Sequence, residues 1–495
     1  MHYYSTRDCT LRYTAAEAVK LGLSREGGLL TPTQIPQMDR AFLESLLTAD
    51  YQERAAQVMA LYLTDYTLDE LRTFAKNAYG PDKFDTPAVA PVRTVDESTH
   101  CLELWHGPTS AFKDMALQML PQLLSASLGK TGEDKTVCIL VATSGDTGKA
   151  AMEGFADVPQ TKILVFYPKD GVSAVQEAQM VTQEGDNVGV CAVVGNFDDA
   201  QSGVKRIFSD PSIRQTLSER GYVLSSANSI NWGRILPQVV YYISAYCDLV
   251  RDGKLTMGDK VNFCVPTGNF GDILAAYYAG RMGLPVGKLI CASNRNDVLT
   301  DFLRTGVYDR NRPFHTTMSP SMDILVSSNL ERLLFDLSGE NDKEVRGYME
   351  ALSSQGRYQV SDKIRAGLDA AFWAGSCGEE DTASTIGRYY RDYGYLIDTH
   401  TAVAANVMEQ YRAATGDTTP TVFVSTASPY KFCDSVLKAI GEVPAGDGVE
   451  LLDQLHAVTG TAVPRRLAAL RGKQRRFDLA CEKQAMDGVV LDFLK

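Results

Sequence analysis

Residues 136–150 read TVCILVATSGDTGKA, and this stretch decides the fold. Thr136 to Ala142 is an apolar, β-branched-rich run without polar alternation, the composition of a strand buried on both faces. At Thr143 the character switches to small residues, hydroxyls and glycines, and helical spacing follows over 147–156. The unit recurs. Thr161–Tyr167, Val188–Val194, Lys260–Val265 and Thr421–Val424 read as further buried strands, while 174–183 and 272–283 carry helical spacing. Strands alternating with helices predict an α/β fold with parallel sheet covered on both faces. In such sheets ligands collect at the carboxyl ends of the strands, so the loops that follow them are where chemistry is expected.

Three of those loops stand out. Thr143-Ser-Gly-Asp-Thr-Gly148 places hydroxyls and small residues at a helix N-terminus, where free backbone N–H groups and the helix dipole favour an anion. It is not a P-loop: Gly145 is too near Gly148, and Ala150 has no hydroxyl for magnesium. Pro266-Thr-Gly-Asn-Phe-Gly-Asp272 has two glycines three apart, which lets the backbone curl towards a phosphate. Ser425-Thr-Ala-Ser-Pro429 clusters hydroxyls that could bond a heterocycle nitrogen. Each loop taken alone has an ordinary alternative as an N-cap, a tight turn or a hydroxyl-stabilised turn.

His106-Gly-Pro-Thr-Ser-Ala-Phe-Lys-Asp114 is different in kind, because it sets Lys113 among Ala111, Phe112, Met115, Ala116 and Leu117. A lysine desolvated at a helix start has a lowered pKa and a free amine able to form a Schiff base. On spacing alone, a surface lysine with its stem over the core and its amine in water accounts for the same pattern.

The rest of the chain bounds the answer. Its 495 residues exceed one core and suggest about three units at roughly 150 residues each. Apolar residues are 44% and charged residues 22%, which excludes wholesale disorder. The net charge of −12 disfavours a phosphate backbone as partner, so no nucleic acid is expected. Ten scattered cysteines with no CxxC pair read as reduced thiols, and no apolar run approaches a bilayer span, so no membrane partner is expected. MHYYSTRDCT has no apolar leader core, and a soluble cytoplasmic protein is expected. Near the start, Thr14 and Glu17 make a capping box for a helix that Gly22 can close, and a mostly helical stretch runs from about 38 to 79. The break Tyr79-Gly-Pro-Asp82, with prolines at 87 and 91, puts a domain boundary near 85.

Taken together, these loops resemble the pyridoxal-phosphate enzymes of the tryptophan-synthase β type (fold type II), and within them the threonine synthase family. HGPTSAFKD is similar to that family's cofactor-lysine motif. ATSGDTGKAA, SANSINWGRILPQ at 226–238, VPTGNFGDILAAYYA at 265–279, SPSMDILVSSNLERLLF at 319–335 and DTHTAVA at 398–404 extend the resemblance along nearly the whole chain. One departure shows at Ser428-Pro429, where the family more usually has His-Pro.

The resemblance implies two lobes of twisted parallel sheet with the cofactor between them. A mostly helical N-terminal domain would occupy 1–85, and the catalytic core 86–495, with a helical extension from about 445. It implies that Lys113 carries pyridoxal 5′-phosphate through a Schiff base and that Gly268, Asn269, Phe270, Gly271 and Asp272 cradle its phosphate. Asp146 would lie near the ring hydroxyl and Thr426 would bond the ring nitrogen. Thr143, Ser144 and Thr147 would take the substrate carboxylate, and Arg234, Lys149, Asn228 and Ser229 are the candidates for its phosphate. The reaction implied is conversion of O-phospho-L-homoserine and water to L-threonine and phosphate, by a monomer or homodimer. A phospho-lyase yielding a 2-oxo acid is the alternative within the family. No metal is expected: the six histidines offer no HxxxH pair, and His106 and His400 read as hydrogen-bonded site walls or packed core groups. The basic run between Arg465 and Arg476 reads as a solvated helical face.

Overall fold

A computed structural model describes residues 1–446 and 448–495. The run Thr136–Ala142 is a buried strand lying between Thr161–Pro168 and Tyr222–Ser225. Val188–Val194 follows Thr161–Pro168, and Ala480–Glu482 forms the edge. All pairings in this five-stranded sheet are parallel. A second sheet has six strands in the order Phe372–Ser376, Val286–Ser293, Val261–Pro266, Thr421–Ser425, Thr99–Glu103 and Val92–Thr94. It is parallel except for the last pair. The α/β expectation holds, and every strand expected from the sequence is present with ends shifted by a residue at most.

Strand topology explains where the site lies. Thr143 follows the end of one strand in the first sheet, while Gly268 and Thr426 follow the ends of two adjacent strands in the second. All three line one cavity of about 270 Å³. Parallel strands put every carboxyl end on the same edge, so loops far apart in sequence converge there.

The N-terminal segment holds its expected helix, Ala15–Leu21, with the Thr14–Glu17 capping box formed and Gly22 at its end. Helices Arg40–Leu46, Tyr51–Ala60 and Leu68–Ala78 follow. A small antiparallel sheet of Tyr3–Ser5, Asp8–Tyr13 and Leu30–Pro32 was not legible, because two of its strands have only three residues and show no period. This segment is keyed into the rest of the chain. Buried Arg54 pairs with Asp248 at 2.7 Å and bonds Ser244 Oγ at 2.8 Å, while Arg7 makes a two-pronged bond to Glu331 at 2.7 and 2.8 Å. Buried apolar residues continue through Tyr79, Phe84 and Val89 into the same core.

The last fifty residues are less uniformly helical than expected. Helices Glu450–Thr459 and Met486–Phe493 flank the edge strand Ala480–Glu482. Nor is the basic run simply a solvated face. Arg466 donates to the Asp82 carbonyl at 2.8 Å, Arg475 pairs with Glu177 at 3.1 Å, and Arg476 donates to the Gln183 carbonyl at 2.6 Å. It fastens the extension to the lobe beneath it. Among the described residues, no helix is long and apolar enough to cross a membrane.

One glycine sets how close two site helices approach. A Cβ on Gly154, in helix Asp146–Phe155, would fall inside van der Waals distance of the Leu117 carbonyl oxygen at the end of helix Lys113–Leu117. Backbone cannot step aside as a flexible side chain can. Gly154→Ala is expected to cost about 1–3 kcal/mol, seen as a lower Tm, and to reduce activity by displacing the helix that begins at Lys113.

Candidate active site

The loop before Lys113 is held by its own sequence. Asp114 is fully buried and accepts from the Thr109 N–H and the Thr109 hydroxyl, both at 2.8 Å. Burial pushes this carboxyl up to about 6, the two Thr109 bonds opposing it. The loop is then laid across the end of strand Thr421–Ser425. Phe112 N–H donates to the Thr426 carbonyl at 2.8 Å, and Ser428 N–H donates to the Ser110 carbonyl at 3.1 Å. Lys113 is thereby fixed at the first position of its helix, with its side chain 13% exposed and facing the cavity. Burial pulls its amine down to about 8; Asp146 works against this, while Arg234 and Lys431 add to it.

Asp146 begins helix Asp146–Phe155 and is enclosed by polar groups. Lys431 pairs with one of its oxygens at 2.7 Å and Gln176 donates to the same oxygen at 3.0 Å. Its other oxygen accepts from Ser321 Oγ at 3.2 Å and lies 4.0 Å from the Lys113 amine. Burial alone would raise this carboxyl, but Lys431 and Lys113 prevail and hold it below the usual carboxylate range. The turn before it needs glycine. Gly145 has φ 132°, and a Cβ there would collide with the Gln176 side chain. The Thr143 hydroxyl accepts from the N–H groups of Gly145 at 3.0 Å and Gly148 at 2.9 Å, so it braces this turn and keeps one O–H to offer.

The loop 268–272 closes the opposite side. Helix Gly271–Arg281 starts from Phe270 in the left-handed region, φ 66°, with no side-chain cap, so its first N–H groups have no intrahelical acceptor. A Cβ on Gly268 would come within 2.7 Å of the Ser321 carbonyl, which explains the glycine there. Asp272 accepts from Tyr241 at 2.5 Å and Tyr242 at 2.6 Å, while its second oxygen is buried without a partner. Burial lifts this carboxyl to about 6 against the pull of both tyrosines and Lys113. Arg234 is also buried; its Nη1 donates to the Ala227 carbonyl at 2.5 Å and its Nε has no partner. Burial lowers its guanidinium to about 10.

Of the residues expected at the site, Lys113, Thr143, Ser144, Thr147, Asn228, Ser229, Arg234, Gly268, Asn269, Phe270, Gly271, Asp272 and Thr426 line the one cavity. Asp146 lies behind its wall, beside the Lys113 amine. Lys149 is not brought in. Its amine bonds Glu153 at 2.9 Å, one helical turn on, and Gln183, which ties it to the helix's flank. Three further residues are part of the site. Lys431 stands just beyond a quoted motif and Ser321 inside one, both without a role, and His400, read as a site wall or packed core group, accepts from Ser321 N–H at 3.1 Å while its Nδ1 meets Asp398 at 2.7 Å. No local signal marks them, since each acts across the fold. Ser425 is occupied: its hydroxyl oxygen accepts from Trp105 and Thr401, both at 3.0 Å. His106 sits between Asp85 at 2.7 Å and Glu103 at 2.9 Å; burial disfavours its charge, but the two carboxylates raise it to about 9. It borders a separate cavity of about 700 Å³ that shares Gly107 and Ser110 of the lysine loop but does not include Lys113.

Comparison with known proteins agrees with this geometry. Residues 94–427 match the family described as pyridoxal-phosphate dependent enzyme, residues 2–79 the threonine synthase N terminus, and residues 401–489 the threonine synthase C-terminal family. The chain is 40% identical to threonine synthase-like 1 of Homo sapiens over 446 residues, 88% of this chain and 59% of that one. It therefore spans about three fifths of the length of that relative. It is 41% identical to threonine synthase of Pseudomonas aeruginosa, over 90% of this chain and 92% of that one. The crystal structure of pyridoxal-phosphate-bound threonine synthase from Brucella melitensis superposes with a TM-score of 0.88 at 37% identity, covering both chains fully. That of threonine synthase from yeast does so at 0.88 and 34%, covering 100% of this chain and 98% of that one. With its central region, both flanking segments and its whole fold in agreement, the chain belongs to the threonine synthase family of pyridoxal-phosphate dependent enzymes.

Proposed function

We propose that this protein converts O-phospho-L-homoserine and water to L-threonine and phosphate, using pyridoxal 5′-phosphate. The observation that carries the reading is a largely enclosed lysine amine, lowered to about 8, in a cavity that also holds a buried arginine with an unpartnered Nε. The residues present suit the cofactor. The uncapped start of helix Gly271–Arg281 and its approach through Gly268 offer N–H groups to a phosphate, as a capped helix could not. Lys113 would carry the cofactor's carbonyl carbon, and Thr426, 6% exposed and lining the cavity, would meet its ring nitrogen. When bound, the group supplies an electron sink for charge developing at substrate carbons.

The chain's own residues would do the rest. Lys113 Nζ, when freed, is the group to take a proton from substrate Cα and to move protons at Cβ as phosphate leaves Cγ and water adds at Cβ. A poorly hydrated amine on a flexible stem suits a task that visits several carbons. Ser144 and Thr147, with the open N–H groups at the start of helix Asp146–Phe155, would hold the substrate carboxylate, and Thr143 would order that turn. Arg234, Asn228 and Ser229 would hold the substrate phosphate; Lys149, committed to Glu153, is left out. The domain division near 85, a cytoplasmic location and a monomeric or dimeric state belong to the same reading, supported by the break at 79–82 and the unpaired cysteines.

The test is direct. Protein reconstituted with pyridoxal phosphate and given O-phospho-L-homoserine should release threonine and phosphate in equal amounts. Release of 2-oxobutyrate instead would transfer the reading to a phospho-lyase.

Thr426 provides a finer test. Its hydroxyl carries no charge, whereas a carboxylate would favour a protonated ring nitrogen, a shift of about 1–3 pKa units. A carboxylate at 426 would make the bound group a stronger electron sink than this reaction needs, at the expense of phosphate loss. Thr426→Asp is therefore expected to keep bound cofactor and lose threonine formation by about ten- to a thousandfold, while Thr426→Ser stays near the native rate. Native turnover by Thr426→Asp would remove Thr426 from this role. Ser425 is a poor substitute, since Thr426 lines the cavity and Ser425 is not among its lining residues.

A further inference from the structure

Lys431 is a charged group buried beside the site, with no exposed side-chain surface, and the reaction as proposed does not use it. It ends the short turn Pro429–Lys431 that follows strand Thr421–Ser425. Its amine makes two contacts, to one oxygen of Asp146 at 2.7 Å and to the Thr109 carbonyl at 3.0 Å. Asp146 turns its other oxygen towards Lys113 at 4.0 Å. Two ammonium groups thus share one carboxylate, unequally, and Lys431 holds the short contact.

We propose that Lys431 is a positioning residue for Lys113: by engaging one oxygen of Asp146 and the Thr109 carbonyl together, it keeps Asp146 from closing into an ion pair with Lys113 and fixes the loop that presents Lys113. The inference rests on the reading of Lys113 as the reacting amine. Its physical basis is competition. A buried carboxylate with one cationic neighbour draws that neighbour into direct contact, which holds the ammonium charged and stops it acting as nucleophile or base. A second cation on the same carboxylate removes much of that pull and adds like-charge repulsion. The charged and titratable groups felt by Lys113 are Asp146, Arg234, Lys431 and Asp272, so the balance is two acids against two bases. Deleting Lys431 tips it towards the acids. The Thr109 contact adds a mechanical link, because Thr109 is also gripped by Asp114 in the loop that leads to Lys113.

The experiment measures the pH dependence of Lys113 reactivity in two ways. One is the rate at which cofactor-stripped full-length protein regains its visible band with pyridoxal phosphate; the other is the acid limb of kcat for the loaded enzyme, where substrate has freed Lys113. Lys431→Met is expected to move both limbs up by about one pH unit, making reconstitution at pH 7 about tenfold slower. In Lys431→Met with Asp146→Asn, where neither charge remains, the limbs should not show that upward move. If Lys431→Met does not fold, Lys431→Gln, which keeps a donor but no charge, carries the same test with the same expected shift. A folded Lys431→Met or Lys431→Gln whose two pH limbs match the native ones overturns the proposal. The underlying reading fails separately, if Lys113→Ala still acquires the visible band.

Discussion

Lys113→Ala loses turnover by about 10⁴-fold or more and loses the visible band of the cofactor linkage, if Lys113 is the reacting amine. Proton transfer by one placed group is worth about 10²–10⁴, and here the same nitrogen also makes the covalent link. The structure explains why no other lysine should rescue the variant. Lys431 is committed to Asp146 and the Thr109 carbonyl, and Lys149 to Glu153 and Gln183. Cofactor can still be held through the loop 268–272, so weak non-covalent retention is compatible with the result. Spectra and steady-state rates on the purified variant check it, and turnover at the native rate would remove the assignment.

Homoserine lacking its phosphate should be a very poor substrate, with kcat/KM lower than for phosphohomoserine by about 10⁴–10⁵. Two causes add. Hydroxide is a worse leaving group than phosphate, and the buried Arg234 would face an empty place with its Nε unpaired. Binding energy from the phosphate would also be missing where it could help exclude stray water. Rates for the two compounds under the same conditions decide the matter. Comparable values would mean that Arg234, Asn228 and Ser229 serve some other ligand.

The sequence by itself determined the α/β class and the positions of the central strands. Thr136–Ala142 and its companions are buried on both faces, so they are written as unbroken apolar runs. The Thr14–Glu17 capping box was equally legible, since its bonds close within one turn. The catalytic candidates were legible as motifs but not as geometry. Spacing alone could not tell a buried Lys113 from a lysine reaching into water, and only the loop laid over Thr426 and Ser428 settles which it is. Lys149 and Lys431 show the limit most clearly. Lys149 directly follows the Gly-rich loop yet turns to Glu153 on its own helix; Lys431 stands in an unremarked turn yet meets Asp146 from another sheet. Burial and ion pairing depend on which groups the topology brings within a few ångströms, and in parallel sheets those groups come from strand ends far apart in the chain. The tertiary structure alone decided which lysine has its charge paired at short range and which faces the cavity with its amine lowered by burial.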